Sequence, residues 1–168
     1  MKKITILGNP GAGKSTLAKQ LGELLDIPVY HMDSIYWKPN WQPVETDELI
    51  ERHDEILQKN SWIIDGNYSS TLQKRLEDAD TIIFLNYSTL RSLYGIMKRR
   101  IQYRNKTRPD IGKDCPERLN WEFIKWSKNY NKNNAPKMYE RLSNINDKEL
   151  HIFKNRRELQ EWLKNLSI

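Results

Sequence analysis

One short glycine-rich segment constrains the fold of this chain more than any other feature. Residues 8 to 15 read Gly-Asn-Pro-Gly-Ala-Gly-Lys-Ser and match the pattern G-x-x-x-x-G-K-[ST]. The segment follows a β-branched run, Lys3 to Leu7, and precedes apolar residues at helical spacing, from Leu17 to Leu25. Strand, loop and helix in this order are the setting in which the pattern forms a phosphate-binding P-loop. The alternative is a glycine-rich turn that only caps a helix.

The residue types of this loop predict a site for ATP, or another nucleoside triphosphate, with Mg²⁺. Glycines let the backbone turn its N–H groups toward phosphate oxygens, and the following helix adds the positive end of its dipole. Lys14 would contact the β- and γ-phosphates, Ser15 would bind Mg²⁺, and Thr16 would hold the α-phosphate. We expect the whole loop to bind the nucleotide: Gly8, Asn9, Pro10, Gly11, Ala12, Gly13, Lys14, Ser15 and Thr16.

Strand patterns alternate with helix patterns along the rest of the chain. Further strands are predicted at Pro28 to Met32, Trp62 to Asp65, Thr81 to Leu85 and Leu150 to Phe153. Helices are predicted with caps at Thr46, Ser88 and Asn155, and a further helix is predicted to start at Pro116. The helix capped by Ser88 has an apolar stripe made of Leu90, Leu93, Tyr94, Met97 and Ile101. The helix that starts at Pro116 has an apolar stripe made of Leu119, Phe123, Trp126 and Tyr130. This alternation predicts an α/β fold with a mostly parallel sheet covered by helices on both faces. A length of 168 residues fits a single domain, 1–168.

Composition excludes some classes of protein. No stretch approaches the 18 or more apolar residues that a membrane helix needs, so we expect a cytoplasmic protein without a membrane partner. Cys115 is the single cysteine, which excludes an intramolecular disulfide and a cysteine-based zinc site.

The net charge of +6 is concentrated in one part of the chain. Residues 98 to 141 hold 13 Lys and Arg against 5 Asp and Glu. Such a segment suits polyphosphate ligands or nucleic acid, and a solvated helical face is the alternative.

Two carboxylates follow predicted strands and therefore open on the same edge of the sheet as the P-loop. Asp65 ends the run Trp-Ile-Ile-Asp and is a candidate Mg²⁺ ligand, or else it caps a turn. Asp33 is a candidate for orienting an acceptor hydroxyl or taking its proton, and a turn or cap role is its alternative. His31 is better explained as a hydrogen-bonding residue than as a base. We expect the acceptor site to contain Asp33, Tyr36, Trp37, Asn67 and Tyr68. For the aromatic pair Trp37 and Trp41, the alternative to stacking on an acceptor base is packing on the core.

A basic run ends the Ser88-capped helix and continues into a polar loop. Guanidinium groups on a closing lid neutralise charge that develops during phosphoryl transfer, and they exclude water. A solvated helix end, favoured by the helix dipole, is the alternative. The predicted lid residues are Arg99, which we expect to be catalytic with Lys14 and Asp33, together with Arg100, Arg104 and Arg108.

With these motifs placed, the chain resembles the adenylate-kinase-like P-loop kinases, and more closely the bacterial DNA topology modulation (FlaR-type) proteins. The segments that carry the resemblance are the P-loop, His31 to Trp41, Trp62 to Tyr68, Tyr103 to Asp110 and Cys115 to Phe123. The resemblance implies a three-layer P-loop NTPase fold with a five-stranded parallel sheet, an acceptor-binding insertion at 34–60 and a short lid at 99–115. Two departures stand out: Asn67 begins the stretch where adenylate kinases continue with Phe-Pro-Arg, and Gly95 replaces an arginine that stacks on adenine.

No Asn-Lys-x-Asp motif of a guanine-specific GTPase is present, and the chain is too short for a large ATPase with sensor elements. We therefore expect an ATP- and Mg²⁺-dependent phosphotransferase that moves the γ-phosphoryl group to a nucleoside, nucleotide or similar small hydroxyl compound. The alternative is a nucleotide-regulated, nucleic-acid-binding NTPase that affects DNA topology. The sequence indicates neither the acceptor nor the oligomeric state.

Overall fold

A five-stranded parallel sheet forms the centre of the protein in a computed structural model, which describes residues 1–118 and 120–166. Its strands are β1 (Lys3–Gly8), β2 (Val29–His31), β5 (Trp62–Asp65), β6 (Thr81–Leu85) and β7 (Glu149–Phe153). Their order across the sheet is β2-β5-β1-β6-β7, and every pair is parallel. Two further strands, β3 (Trp37–Lys38) and β4 (Gln42–Pro43), form a separate antiparallel ribbon.

Helices cover both faces of the sheet, because alternate side chains of each buried strand point to opposite sides. Ile4 and Ile6 face a core completed by α1 (Lys14–Leu25) and α8 (Arg156–Leu166), whereas Leu7 faces the other core. That second core is completed by α3 (Thr46–Leu57), α4 (Ser69–Asp78), α6 (Trp121–Asn133) and α7 (Ala135–Ser143). The remaining helices are α2 (Met32–Tyr36), a 3₁₀ turn at Pro39–Trp41, and α5 (Thr89–Gln102). The predicted three-layer α/β fold with a five-stranded parallel sheet is confirmed.

The predicted apolar stripe of α5 is wrong. Leu90 is 81% exposed and Ile101 is 74% exposed, and Tyr94 and Met97 are exposed as well. The helix instead buries Ser92 and Ile96 and rests with Gly95 on the P-loop. Periodicity identifies the most hydrophobic face of a helix, but here the face that packs on the P-loop contains Ser92 and Gly95, whose small size allows close backbone packing.

Several predicted boundaries shift by a few residues. Strand β2 ends at His31, because Met32 already begins α2. Helix α3 is preceded by Glu45 as its N-cap, so Thr46 is its first helical residue and not its cap. The helix predicted to start at Pro116 begins at Trp121, where the Asn120 side chain accepts hydrogen bonds from two backbone N–H groups. Leu119 of its predicted stripe lies outside the described residues.

The irregular stretch between α5 and α6, residues 103–118, is called the connecting segment below and contains most of the predicted lid. It packs directly on the predicted acceptor insertion. The backbone N–H of Asn40 donates to the Asp114 carbonyl over 3.0 Å, and the indole N–H of Trp41 donates to the Pro116 carbonyl over 3.1 Å. A β-carbon at Gly112 would lie 1.9 Å from the carbonyl oxygen of Trp37. The two segments therefore form one continuous wall beside the sheet edge.

Within the parts of the chain that the structure describes, no helix is both long and apolar enough to cross a lipid bilayer.

Candidate active site

The P-loop connects the carboxyl end of β1 to the first turn of α1. Gly8, Gly11 and Gly13 all have positive φ, a region that residues with a β-carbon seldom adopt. Gly13 has φ 94° and immediately precedes α1, and no atom lies within 4 Å of the position that its β-carbon would take. The backbone there is curled around open space at a helix N-terminus, which is the geometry that binds phosphate oxygens.

The side chain of Lys14 turns back onto the loop that it follows. Its ammonium group donates to the carbonyl oxygens of Gly8 and Asn9, each over 2.9 Å. Burial lowers the Lys14 pKa to about 8, and the positive charges of Arg99 and Arg108 act in the same direction, while Asp65 and Asp33 oppose them. These four charged groups therefore all lie within electrostatic reach of the P-loop lysine.

Ser15 and Asp65 meet at the carboxyl edge of the sheet. The Ser15 hydroxyl donates to Asp65 Oδ2 over 2.8 Å, and His31 Nδ1 lies 2.6 Å from Asp65 Oδ1. Burial alone would lower the His31 pKa, but the hydrogen bond to Asp65 and its negative charge raise it above its usual value. A hydroxyl and a carboxylate side by side fit Mg²⁺, which commonly takes one or two protein oxygens together with waters and substrate phosphates.

Asp33 presents the more open carboxylate of the site. The Tyr68 hydroxyl donates to Asp33 Oδ1 over 2.6 Å, and the Asp33 side chain is 43% exposed, against 5% for Asp65. Burial first, and then the charge of Asp33, raise the pKa of Tyr68, so its hydroxyl stays protonated as a donor. One Asp33 oxygen is thus held by the protein while the side chain remains accessible to a ligand.

An aromatic wall stands beside Asp33. Tyr36 lies 5.0 Å from Tyr68 and 4.7 Å from Trp37 between ring centroids, and Trp41 lies 5.4 Å from Trp37. All four rings are partly exposed. The structure therefore brings the predicted acceptor residues Asp33, Tyr36, Trp37 and Tyr68 together.

Asn67 is placed elsewhere. Its side-chain oxygen accepts from the backbone N–H of Gly8 over 3.0 Å, and its amide donates to the Gly8 carbonyl over 2.7 Å. Both functions of the amide are used on the start of the P-loop. Asn67 therefore contacts the start of the donor loop, and its predicted place in the acceptor site stays a prediction.

Two of the predicted lid arginines converge on one buried acid, Glu117. Arg99 donates through Nε to Glu117 Oε1 over 3.1 Å, and Arg108 Nε lies 2.8 Å from Glu117 Oε2 without hydrogen-bond geometry. A third, Arg100, donates to the Glu117 backbone carbonyl over 3.0 Å. Arg104 is exposed, and its backbone forms an isolated β-bridge with Glu117.

Three residues that hold the site together were missed by sequence reasoning. Arg75 of α4 is fully buried and donates to the carbonyl oxygens of Gly66 and Tyr68, which fixes the turn after Asp65. Asn131 of α6 contacts the side chain of Asn9 and the carbonyl of Tyr87. Glu117 is the third. Their partners lie from 7 to 122 positions away in the sequence, and none of the three residues belongs to a local pattern that would have identified it.

Helix α5 closes the outer side of the P-loop. A β-carbon on Gly95 would lie 2.0 Å from the carbonyl oxygen of Gly11, and one on Gly11 would lie 2.3 Å from the carbonyl of Ser92. Because backbone meets backbone here, the position of α5 and the shape of the phosphate loop are mechanically linked. The same helix carries Arg99 toward the site.

Comparison with known proteins gives partial matches. No protein-family model matches the chain. The adenylate kinases of Thermotoga petrophila and Thermotoga maritima are each 32% identical to it over 80 residues, which is 48% of this chain and 36% of theirs. The chain therefore matches little more than a third of the length of these curated relatives.

Among solved structures, shikimate kinase from Acinetobacter baumannii in complex with shikimate superposes with a TM-score of 0.58 at 16% identity, covering 98% of this chain and 94% of that one. A protein of Eubacterium ventriosum gives a TM-score of 0.53 at 16% identity over 97% and 96% of the two chains. The parallel sheet order found here is typical of the same fold. The chain thus has the fold of the P-loop kinase superfamily, which includes adenylate and shikimate kinases.

Proposed function

We propose that this protein transfers the γ-phosphoryl group of ATP, or of another nucleoside triphosphate, to a hydroxyl group of a small acceptor. The observation that carries the proposal is the meeting of three groups at one sheet edge: Lys14 in a curled P-loop, the Ser15 and Asp65 pair, and the accessible carboxylate of Asp33. A phosphate-binding loop alone does not define a reaction. An acid positioned to receive an acceptor proton adds the second half of a kinase site.

Each residue has a distinct role in this proposal. Lys14 leaves the carbonyls of its own loop and binds the β- and γ-phosphates. Ser15 and Asp65 hold Mg²⁺, which neutralises phosphate charge and orients the γ-phosphoryl group when bound. Asp33, oriented by Tyr68, accepts the proton of the attacking hydroxyl. That oxygen bonds to the γ-phosphorus, the bond from phosphorus to the β–γ bridging oxygen breaks, and the nucleoside diphosphate leaves.

The lid role belongs to the same proposal. Arg99 and at least one of Arg100, Arg104 and Arg108 would approach the transferring group when both substrates are bound. The positive charges of Arg99 and Arg108 both lower the Lys14 pKa, which supports a place for them near the donor loop. Their shared partner Glu117 would keep the two guanidinium groups together during that movement.

A nucleic-acid-binding role finds less support. Arg99, Arg100 and Arg108 of the basic segment turn inward to Glu117, so they are not part of a surface that could track a phosphate backbone. The narrower resemblance to DNA topology modulation proteins stays a prediction from sequence. A cytoplasmic location is likewise our expectation.

The test compares two lysines that lie five residues apart. Lys14→Ala should abolish calorimetric binding of MgATP and its turnover, while Lys19→Ala, on the exposed side of α1, should change neither. Consumption of ATP is then measured with wild-type protein and a panel of nucleosides, nucleotides and hydroxyl metabolites. Normal MgATP binding by folded Lys14→Ala protein would contradict the donor-site assignment.

A further inference from the structure

The charge of the acceptor can be inferred from the surroundings of Arg108, on the basis of the proposed function. Arg108 is 7% exposed, and each of its three guanidinium nitrogens faces a carboxylate. Nε lies 2.8 Å from Glu117, Nη1 donates to Asp110 over 2.9 Å, and Nη2 lies 3.8 Å from Asp33. Three acids around one arginine offset its positive charge, although only the contact with Asp110 has hydrogen-bond geometry.

This neutralisation does not depend on the position of the connecting segment. Asp110 and Glu117 belong to that segment, as Arg108 does, so two of the three carboxylates accompany the guanidinium wherever the segment moves. Opening or closing would separate Arg108 only from Asp33. An acceptor that carries a phosphate or a carboxylate would therefore approach an arginine that is already ion-paired with Asp110 and Glu117.

Several other cations near the aromatic wall are also engaged. Lys38 pairs with Glu48 over 2.8 Å, and Arg75 is buried on backbone carbonyls. Arg99 shares Glu117. Arg118 lies over the ring of Trp41, 4.7 Å from its centroid, at the far end of the wall from Tyr68 and Asp33.

An anion at this end of the site would lie close to the carboxylates of Asp33 and Asp65, while the nearby Arg108 is already ion-paired. A nucleoside monophosphate accepts on its phosphate, which must sit beside the transferring group and hence close to Asp33 and Asp65. Like charges at such distances cost free energy, more so where solvent is partly excluded. A hydroxyl group, in contrast, can donate its hydrogen bond to Asp33 while a ring or other apolar face packs on Tyr36 and Trp37.

We propose that the acceptor is a neutral or positively charged hydroxyl compound, such as an unphosphorylated nucleoside, a sugar or an amino alcohol, and carries no phosphate or carboxylate near its reacting hydroxyl. The juxtaposition of an accessible Asp33, a partly exposed aromatic wall and an arginine whose charge is offset by three acids selects against anions. The same chain would phosphorylate such a compound by the steps given above.

The test asks whether releasing Arg108 creates an anion site. The probe is inorganic phosphate, titrated calorimetrically after the P-loop has been saturated with Mg²⁺ and a non-hydrolysable ATP analogue. Wild-type protein should show no further phosphate binding. Asp110→Asn should gain phosphate affinity on the order of tenfold or more, because the substitution removes one of the negative charges that offset Arg108 and repel an anion.

Two controls locate the effect. Asp114→Asn removes the same charge from an exposed position of the same segment and should gain nothing. Asp110→Asn combined with Arg108→Gln should lose the gained binding. Thermal unfolding of each variant confirms that it is folded.

Phosphate binding by wild-type protein that depends on Arg108, or no gain in Asp110→Asn, would overturn the proposal. So would faster ATP consumption with the anionic member of a matched pair, such as AMP against adenosine. Failure of the ATP analogue to bind would instead contradict the donor site of the proposed function, and phosphate binding would then be judged by its dependence on Arg108 alone.

Discussion

At the scale of single residues, the site depends on side chains whose orientation is fixed by hydrogen bonds to their neighbours. Asp65 is the clearest case, since one oxygen is held by His31 and the other faces Ser15. The carboxylate is therefore fixed in orientation before any metal arrives. Fixed ligands lose little entropy when they bind, and the groups that orient them affect metal binding almost as strongly as the ligands themselves.

Asp65→Asn should lower kcat on the order of 10- to 100-fold and change MgATP affinity less, because the carboxylate acts mainly on the metal that orients the transferring group. Excess Mg²⁺ should restore part of the activity. The control is Asp78→Asn, which removes a carboxylate paired with Lys3 at the opposite edge of the sheet. An Asp65→Asn protein with reduced stability and normal turnover per folded molecule would show that Asp65 only supports the turn that follows it.

Tyr68 tests the acceptor half of the site separately from the donor half. Tyr68→Phe removes the hydroxyl that donates to Asp33, so kcat/KM for the acceptor should fall on the order of 10-fold, as expected for a hydrogen bond to a charged group. The dissociation constant for MgATP should stay unchanged. Tyr36→Phe removes the hydroxyl of the neighbouring ring and serves as the matched control. Equal effects of the two substitutions would argue against an orienting role for Tyr68.

At the scale of secondary-structure elements, α5 has an unusual position. It presents Leu90, Tyr94, Met97 and Ile101 to solvent and places Gly95 on the backbone of the P-loop. A side chain at position 95 would separate the helix from the loop. The glycine is thus required by close approach and not by helix formation, which it disfavours by about 1 kcal/mol relative to alanine.

Gly95→Ala should therefore destabilise the protein even though alanine favours helices. Its β-carbon would lie 2.0 Å from the Gly11 carbonyl oxygen, and relieving that overlap must displace α5 or the loop. We expect a loss of about 1–3 kcal/mol in the free energy of unfolding, with weaker MgATP binding. Leu90→Ala on the exposed face should stay within about 0.5 kcal/mol of wild type. A Gly95→Ala protein as stable as wild type, with unchanged nucleotide affinity, would contradict tight contact between helix and loop.

Local patterns explain why some elements could be predicted and others could not. The strand, loop and helix around Gly8 to Ser15 were predictable, since each depends on neighbouring residues and on a fixed motif. The orientation of α5 was not predictable. Ser92 and Gly95 pack closely because their side chains are small, and a search for hydrophobic periodicity does not detect small residues. The pairing of Arg108 with Glu117 was also out of reach, because an irregular segment has no period that would bring two residues together.

Asp33 and Asn67 show the same limit within the site. The sequence indicated that both follow strands at the ligand-binding edge. Only the three-dimensional structure separates their surroundings, since Asn67 lies on Gly8 and Asp33 lies beside Tyr68. The edge of the sheet could be predicted, but the direction of each side chain could not.

At the scale of the whole molecule, the shifted pKa values of two histidines, His53 and His31, lead us to expect that the free energy of unfolding depends on pH. His53 of α3 is fully buried, next to Asp54 and near Lys74 and Arg75 of α4. Burial lowers its pKa, and the charges of Arg75 and Lys74 lower it further, while the hydrogen bond to Asp54 acts in the opposite direction. His31 behaves in the opposite way, with a raised pKa.

The sign of the His53 effect follows from where the proton binds. Below about pH 6.5 the unfolded chain protonates this histidine, while the folded protein does not until the pH reaches its lowered pKa. Protonation then favours unfolding, so stability is lost as pH falls through this window. One proton of difference corresponds to a slope of at most about 1.4 kcal/mol per pH unit.

We therefore expect wild-type protein to lose more stability between pH 7.5 and pH 5.5 than the variant His53→Leu, which cannot take up the proton. Urea unfolding at each pH measures both proteins, and the comparison concerns the slopes, so it holds even if the substitution changes stability at neutral pH. The raised pKa of His31 contributes in the same way to both proteins and cancels in the difference. A His53→Leu slope equal to or steeper than that of wild type would mean that His53 takes up its proton as readily in the folded protein as in the unfolded chain. The charges of Lys74 and Arg75 would then be too well screened, and the packing of α3 on α4 too open to solvent, to hold this histidine neutral.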